Sequence, residues 1–575
     1  MALACSSTPQ PDRDLSGGGT MGDTGTTSGA TTPGTGSVSQ SDSTGSDGSD
    51  GALDDEGSSG GVFDVAQPPP PPVDECDASD LDALADNGAP TCADTAPPDN
   101  FDPVTEWSYP PRGEVSWGSE VIALVANMTD DNDNGEIDMC DTPDVIVSVQ
   151  RDGDARECEI HVVDGNYGET GVVHAVIDHP DLYCLGTPAV GDIDGDGQPD
   201  IVAVTDLADE RIIAFEADGT LKWISEPNPH LTDPLSQSQG AWRSGAVAID
   251  DLDGDGTAEI SYAHLLYDSD GAVLWSREEQ GFINFLQAPM VVDLDDDGRR
   301  ELVLGYSAYA FDDAWNATEL WNLYDFIPSA DHPHQTFAQV ANFDDEPMPE
   351  VFLSNARGNF LLEHDGTVIW GPVVPAESES CDLSSNGRMR PAVLFDANND
   401  GKTDVGLSLC DEFYLFEIDE VGMTVMFSAP VQDGDGSSGS TAFDFLGDGM
   451  PEPVYSDRVA AYAWSHDGDG WETRLDLPRV SGTWMEFPVV ADTDNDGSAE
   501  ILVVSRGDAP ALQVFGDEGN DWIQARRIWN QHAYTVTNIS EDGHLPDTRL
   551  NHWEHLNTVR SNSQIESGVP CVPAG

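Results

Sequence analysis

The stretch Asp192-Ile193-Asp194-Gly195-Asp196-Gly197-Gln198-Pro199-Asp200 places three carboxylates at alternate positions, then a glycine, then a fourth carboxylate. The strand-forming run Ile201-Val202-Ala203-Val204 follows directly. The same phrase returns at residues 251–259, 293–301, 396–404 and 492–500, with looser copies from Asp130, Asn342 and Asp444. Four carboxylates within nine residues repel one another unless positive charge sits between them. All-oxygen ligation selects a hard cation, and a flexible carboxylate-rich loop favours calcium over magnesium. Positions 1, 3 and 5 point inward as the chain curls. Glycine at position 6 allows the sharp turn, position 7 offers its carbonyl, and position 9 closes the cage.

The expected ligands follow from that spacing. They are Asp192, Asp194, Asp196 and Asp200; Asp251, Asp253, Asp255 and Glu259; and Asp293, Asp295, Asp297 and Glu301. Asp396, Asn398, Asp400 and Asp404 form a fourth set, and Asp492, Asp494, Asp496 and Glu500 a fifth. In one looser copy Asp130, Asn132 and Asn134 keep oxygen ligands, with Asp138 or Asp144 closing the loop. From Asp444, Leu446 replaces a ligand; from Asn342, Pro347 replaces the glycine and Glu346 an aspartate, so both are expected to have decayed. One such loop is as readily an Asp-Gly turn without metal; five in register are a strong signal.

Each loop joins an apolar lead-in, such as Thr187-Pro188-Ala189-Val190-Gly191, to an outgoing strand, such as Glu301-Leu302-Val303-Leu304-Gly305. Two weaker strands follow, joined by Asp218-Gly219, Asp270-Gly271 or Asp365-Gly366, which are hairpin signals. The tryptophan after each of these turns (Trp223, Trp275, Trp370) is expected to pack blade on blade. Loop starts recur every 42–62 residues. Four strands at that period predict an all-β propeller. No 3.6-residue apolar period is present, which excludes helical repeats, and β-solenoid repeats are usually shorter. Eight blades are expected, or seven if the first or last unit closes a shared blade.

These units resemble the FG-GAP or VCBS repeats of integrin α-subunit propellers and of many bacterial surface proteins. The pattern D-x-D-x-D-G-x-x-D, with Glu allowed last, is met from Asp192, Asp251, Asp293 and Asp492, and from Asp396 with Asn398 at the third place. The opening is also similar to an EF-hand loop, but Glu at position 12 and flanking helices are missing. The resemblance covers residues 115–520. Trp529-Asn530-Gln531-His532-Ala533-Tyr534 is similar to the tail of bacterial members. Membership implies several structural Ca2+ ions and extracellular display. It does not imply one activity.

Charge narrows the partners. The 575 residues hold 22 basic and 108 acidic side chains, a formal net charge of -86, and the lysines are Lys222 and Lys402. Such a chain does not bind nucleic acid or an anionic bilayer by electrostatics. No apolar run reaches the ~18–20 residues of a membrane span. Ala2-Leu3-Ala4-Cys5-Ser6-Ser7 resembles the end of a bacterial lipoprotein signal, with Cys5 as the lipidated residue. The basic and apolar regions that should precede it are missing, so the true start is expected upstream. Contact with a membrane is then through the lipid alone. Ser6 favours an outer-membrane or cell-surface location; a secreted or periplasmic protein is the alternative.

The expected organisation is a signal remnant at 1–5, a Ser/Gly/Thr/Pro tether at 6–72, a small cysteine-containing clip at 73–100, the propeller at 101–535, and a packed C-terminal segment at 536–575. The tether is too polar to offset its ordering entropy and would span about 45 Å, stiffened by Pro68 to Pro72. Eight further cysteines suit disulfides in an oxidising compartment. Cys76–Cys92 and Cys381–Cys410 are the pairings expected first, and Cys571 is expected to tie down the C-terminus.

Catalytic signals are thin. His332-Pro333-His334 reads as a loop, and His552 and His555, flanking Trp553, as packing. No phosphate loop, HExxH or Gly-x-Ser-x-Gly elbow is present. The preferred reading is a non-catalytic surface protein that binds an extracellular protein or glycan. A carbohydrate-active enzyme is the alternative, because some polysaccharide lyases are calcium-bearing eight-bladed propellers; a cluster of Arg, Lys and Tyr on one face would mark it. A quinone-type dehydrogenase rests only on the Asp-Gly…Trp phrases.

Overall fold

The computed structural model describes residues 80–97, 101–110, 117–230, 245–277, 288–323, 336–374, 391–433, 438–466 and 470–573, a few single positions excepted. Cys5, the 6–72 tether, Cys76, the His332/His334 pair and the expected Cys381–Cys410 disulfide lie outside them.

Each repeat unit folds as one antiparallel sheet, and there are eight. Blade 2 shows the pattern: Ala189–Gly191 pairs with Asp200–Val204, then Ile212–Phe215, then Leu221–Ile224. The first three strands are buried throughout and the fourth is half-buried, with Leu221 exposed. The apolar lead-in therefore lines the hub, and the weak strand forms the rim. Blade 1 begins with Leu124–Ala126 and carries the extra strand Trp117–Gly118 on Asp144–Arg151. Blades 3 to 7 begin with Val247–Asp250, Met290–Val292, Thr336–Ala341, Val393–Phe395 and Ser440–Phe443.

Blade 8 is built from both ends of the chain. Val489–Ala491, Glu500–Val504 and Leu512–Asp517 supply three strands. Pro103–Tyr109 pairs with the last, from Pro103 opposite Asp517 to Tyr109 opposite Leu512. The N-terminal strand thus closes the ring, and no blade is left short. Radial closure of this kind removes the exposed sheet edges that invite aggregation.

The recurring tryptophans pack across blades as expected. Trp223 of blade 2 donates its indole N–H to the Ser269 carbonyl in the hairpin turn of blade 3, at 2.9 Å. Trp370 of blade 5 does the same to Asp419 of blade 6, at 2.9 Å. Trp275 of blade 3 packs tilted against Tyr309 and edge-on against Phe311 of blade 4, with centroids 4.8 and 5.5 Å apart. At Gly271 the φ is +79°, and a Cβ would lie 2.8 Å from the Trp223 ring. The turn glycine therefore serves its hairpin and its neighbour together.

The C-terminal run occupies the hub. Trp529 exchanges backbone hydrogen bonds with Val125 of blade 1, and Asn530 accepts from Val190 of blade 2. Gln531 accepts from the Ile249 N–H of blade 3. Arg549 reaches the Gly298 carbonyl of blade 4, and His552 donates to Val340 of blade 5. Val559 pairs with Leu394 of blade 6, Ser561 donates to Ala442 of blade 7, and Asn562 donates to Val490 of blade 8. The segment bonds all eight blades, in their own order apart from a return to blade 2, where Gly543 accepts the Asp192 N–H. Arg526, Asn530, His532 and Arg560 are fully buried in it. Arg526 is satisfied by the Tyr534 hydroxyl and the Val536 and Ile539 carbonyls.

The disulfides correct one expectation. Cys92 bonds Cys571, 479 residues away, and not Cys76. Val572 pairs with Thr91 alongside it, which carries the clip to the chain end. Helix Asp80–Asn87 of the clip buries Leu81 and Leu84 on the same body. Cys158–Cys184 bridges blade 1 to the connection leaving it. The expected tie at Cys571 is present.

Candidate metal centres

Each acidic loop links the innermost strand of its blade to the second. The first carboxylate turns back over the loop. Asp192 Oδ1 accepts the Gly195 and Asp196 N–H groups at 2.7 and 3.2 Å, and Oδ2 accepts Gly197 N–H at 2.9 Å. Asp251, Asp293, Asp396 and Asp444 take the same bonds from the residues four and five positions on. The fifth position accepts the N–H of the seventh, as Asp196, Asp255, Asp297, Asp400 and Asp496 all do at 2.9–3.0 Å. The alternate spacing is thus converted into a curl with its carboxylates gathered on the inside.

In seven loops the ninth position opens the second strand, and in blade 1 Asp144 does so; all eight residues are buried: Asp144, Asp200, Glu259, Glu301, Glu350, Asp404, Glu452 and Glu500. One oxygen accepts the N–H of the second loop residue, as from Leu252 to Glu259 at 2.8 Å and from Leu294 to Glu301 at 2.7 Å. The decayed loops keep this bond, from Phe343 to Glu350 and from Phe445 to Glu452. Spacing from Asn342 and Asp444 could have found these two carboxylates, but degeneracy elsewhere in the loops hid them.

The remaining oxygens test whether a cation fits. Asp253 Oδ1, Asp404 Oδ1, Asp492 Oδ1 and Asp494 Oδ1 are buried with no hydrogen-bond partner. Ligand oxygens of Asp192, Asp194 and Asp200 fall within 4.8 Å of one another, as do those of Asp251, Asp253 and Asp255 and those of Asp293, Asp295 and Asp297. Burial, reinforced by neighbouring carboxylates, pushes Glu259, Glu301 and Asp404 up to about 8. Asp492 and Glu500 move the same way for the same reasons. Bare ionised acids are therefore unfavourable here, and the donor sets suit a hard divalent ion.

Two loops depart from the common plan. In blade 2, Lys222 Nζ lies 2.7 Å from Asp194, 3.0 Å from Asp200 and 3.2 Å from Glu216, so an ammonium sits among the expected ligands. In blade 1, Asp130 accepts from Asn134 and Gly135 at 3.0 and 2.8 Å, and Asn134 donates to Asp138 at 3.1 Å. That curl closes on Asp138, before the strand begins. Asp144, which opens the strand, faces the rim strand of its blade instead.

Residues 192–261 match the family model described as FG-GAP-like repeat. The chain is a β-propeller that carries an FG-GAP-like repeat. No curated protein matches its sequence. Among solved structures, the propeller is similar to the V. cholerae biofilm matrix protein Bap1, with 19% identity, a TM-score of 0.59, and coverage of 84% of this chain and 100% of that one. A rhamnogalacturonan lyase from Bacillus licheniformis aligns at 14% identity and a TM-score of 0.47, covering 84% of this chain and 82% of that one. At these identities the likeness is one of fold. Among the described residues of the propeller, no helix is long and apolar enough to cross a membrane.

Proposed function

We propose that this protein is a calcium-stabilised, surface-displayed propeller that binds an extracellular protein or glycan without catalysing a reaction on it. The buried, unpartnered oxygens of Asp253, Asp404, Asp492 and Asp494 carry the calcium part of this reading. A buried carboxylate oxygen without a donor is costly, and a bound cation removes that cost. The loops from Asp251, Asp293, Asp396 and Asp492 would hold the ions through their first, third, fifth and ninth residues. Calcium there supplies charge neutralisation and cross-links the two inner strands of each blade. The loop from Asp192 is the weakest of the five, because Lys222 already supplies positive charge.

Binding of a partner rests on the rigid frame. A cleft of about 890 Å³ opens between blades 5 and 6, lined in part by Asp344, Glu346, Lys402, Glu420 and Trp553. Its size suits a sugar or a peptide side chain. Cys5 would carry the lipid, with the 6–72 segment as tether.

Two measurements test the reading. Calorimetry with calcium and with excess chelator should show a large drop in Tm on chelation; an unchanged Tm counts against structural calcium. A glycan array run beside a lyase assay on uronic-acid polymers should give binding without new product absorbance. Product formation would overturn the non-catalytic part.

A further inference from the structure

Blade 1 differs from its neighbours at the strand-opening carboxylate. Asp144 is fully buried, and its Oδ2 accepts the Met128 N–H and the Thr129 hydroxyl, each at 3.1 Å. Its Oδ1 is buried without a hydrogen-bond partner. The side chain aimed at that oxygen is His174, from the rim strand Val173–Asp178. His174 Nε2 is itself buried and unpartnered. It lies 3.5 Å from Asp144 Oδ1, 3.6 Å from Asp131 Oδ1 and 3.9 Å from Asp164 Oδ2.

These separations are longer than N–H···O hydrogen bonds. They approach the spacing of donors around one small ion: ligands about 2.0–2.1 Å from a tetrahedral centre lie about 3.3–3.4 Å apart. The donors are also held from behind. Asp164 Oδ1 accepts the Asn166 N–H at 2.8 Å, and the Asp131 N–H donates to Asp141 Oδ1 at 3.0 Å. Ligand atoms of Asp131, Asp164 and His174 fall within 4.8 Å of one another. The donors come from the loop, the second strand, the end of the third and the start of the fourth. Their arrangement therefore belongs to the blade and not to a single flexible turn.

Blade 2 supplies an internal comparison. Lys222 and His174 are each the second residue of their rim strand, and Glu216 and Asp164 each stand at the end of the third. In blade 2 the rim side chain is a permanent cation and bonds its three carboxylates directly at 2.7–3.2 Å. In blade 1 it is an imidazole, a ligand rather than a fixed charge, and it stops short of the carboxylates.

We propose that Asp131, Asp144, Asp164 and His174 form a site for a divalent transition metal of the zinc class. Imidazole nitrogen with carboxylate oxygens selects zinc or cobalt over calcium, which takes oxygen alone. The site shares Asp131 with the Asp130–Asn132–Asn134 curl and draws its other three donors from the strands. It does not depend on calcium occupying the other loops.

The test uses the full chain, freed of transition metals with dipicolinate and kept in millimolar calcium. Titration with Co2+ should show one equivalent bound, with the visible absorption of four-coordinate cobalt, and zinc should displace it. His174→Gln and Asp164→Asn should each lose that equivalent while keeping the far-UV dichroism of the parent. Should both variants misfold, X-ray absorption on the cobalt-loaded parent decides: a nitrogen in the shell supports the site, and an all-oxygen shell overturns it. Absence of the cobalt band in the parent, its survival in His174→Gln, or its loss to calcium alone also overturns it. Thermal unfolding against calcium is read separately, so failure of the calcium reading leaves this result distinct.

Discussion

Lys222 places its ammonium within the ligand set of a complete motif, 2.7 Å from Asp194 and 3.0 Å from Asp200. Removing that charge frees the loop for an ion. Lys222→Met should raise bound calcium by one equivalent per chain, read by elemental analysis after gel filtration in limiting calcium; an unchanged count would show that the ammonium does not compete. Another residue sets a pH response away from the loops. Glu486 is fully buried, with Arg479 at 2.8 Å, the Trp484 N–H at 2.7 Å and the Ser481 hydroxyl around it. Burial pushes its carboxyl up to about 7; Arg479 opposes that and Glu120 adds to it. A folded pKa above the unfolded value means stability that is complete below about pH 4.5 and lost as pH rises through about 7. In saturating calcium, Glu486→Gln should flatten the fall in Tm between pH 5 and pH 8 relative to the parent. Neither behaviour could be read from the motif alone, because the partners of Asp194 and Glu486 depend on how strands stack.

At the scale of the strand and turn, the sequence was most readable where spacing and chemistry agreed. The alternation Asp-x-Asp-x-Asp-Gly forces one curl, and the apolar runs beside it can only be inner strands. All eight loop starts fall between the first and second strand of a blade. The Asp-Gly hairpins were legible for the same reason, and Gly366 shows the second demand on them. Its φ is +81°, and a Cβ would lie 2.3 Å from the Trp321 side chain of the preceding blade. Gly366→Ala should therefore cost about 1–3 kcal/mol in urea unfolding, by backbone strain alone. Disulfide pairing was not legible, because Cys92 and Cys571 meet only after the ring has closed. Cys92→Ser should lower stability by about 2–5 kcal/mol, as for loss of other native bridges. A variant as stable as the parent would make the clip an ornament.

Over the whole molecule, two terminal segments complete a structure that the repeats alone leave open. Pro103–Tyr109 supplies the fourth strand of blade 8, and the run from Trp529 to Asn562 bonds every blade. Composition hinted at this run through its aromatics and amides, but its path around the hub has no local signature. Deleting residues 523–575 should give a chain that elutes as aggregate or unfolds without cooperativity, since buried backbone groups of seven inner strands lose their partners. A monomeric deletion with the Tm of the parent would reduce the segment to a passenger. Its place in the chain bears on biosynthesis as well. A ribosome delivers the hub segment after the strands of all eight sheets. Until then the blades are a string of sheets with no centre. A prematurely terminated product would therefore lack the part that locks the ring, and would stay open to proteases that the finished protein excludes. The chain carries its own seal, made after the blades it closes.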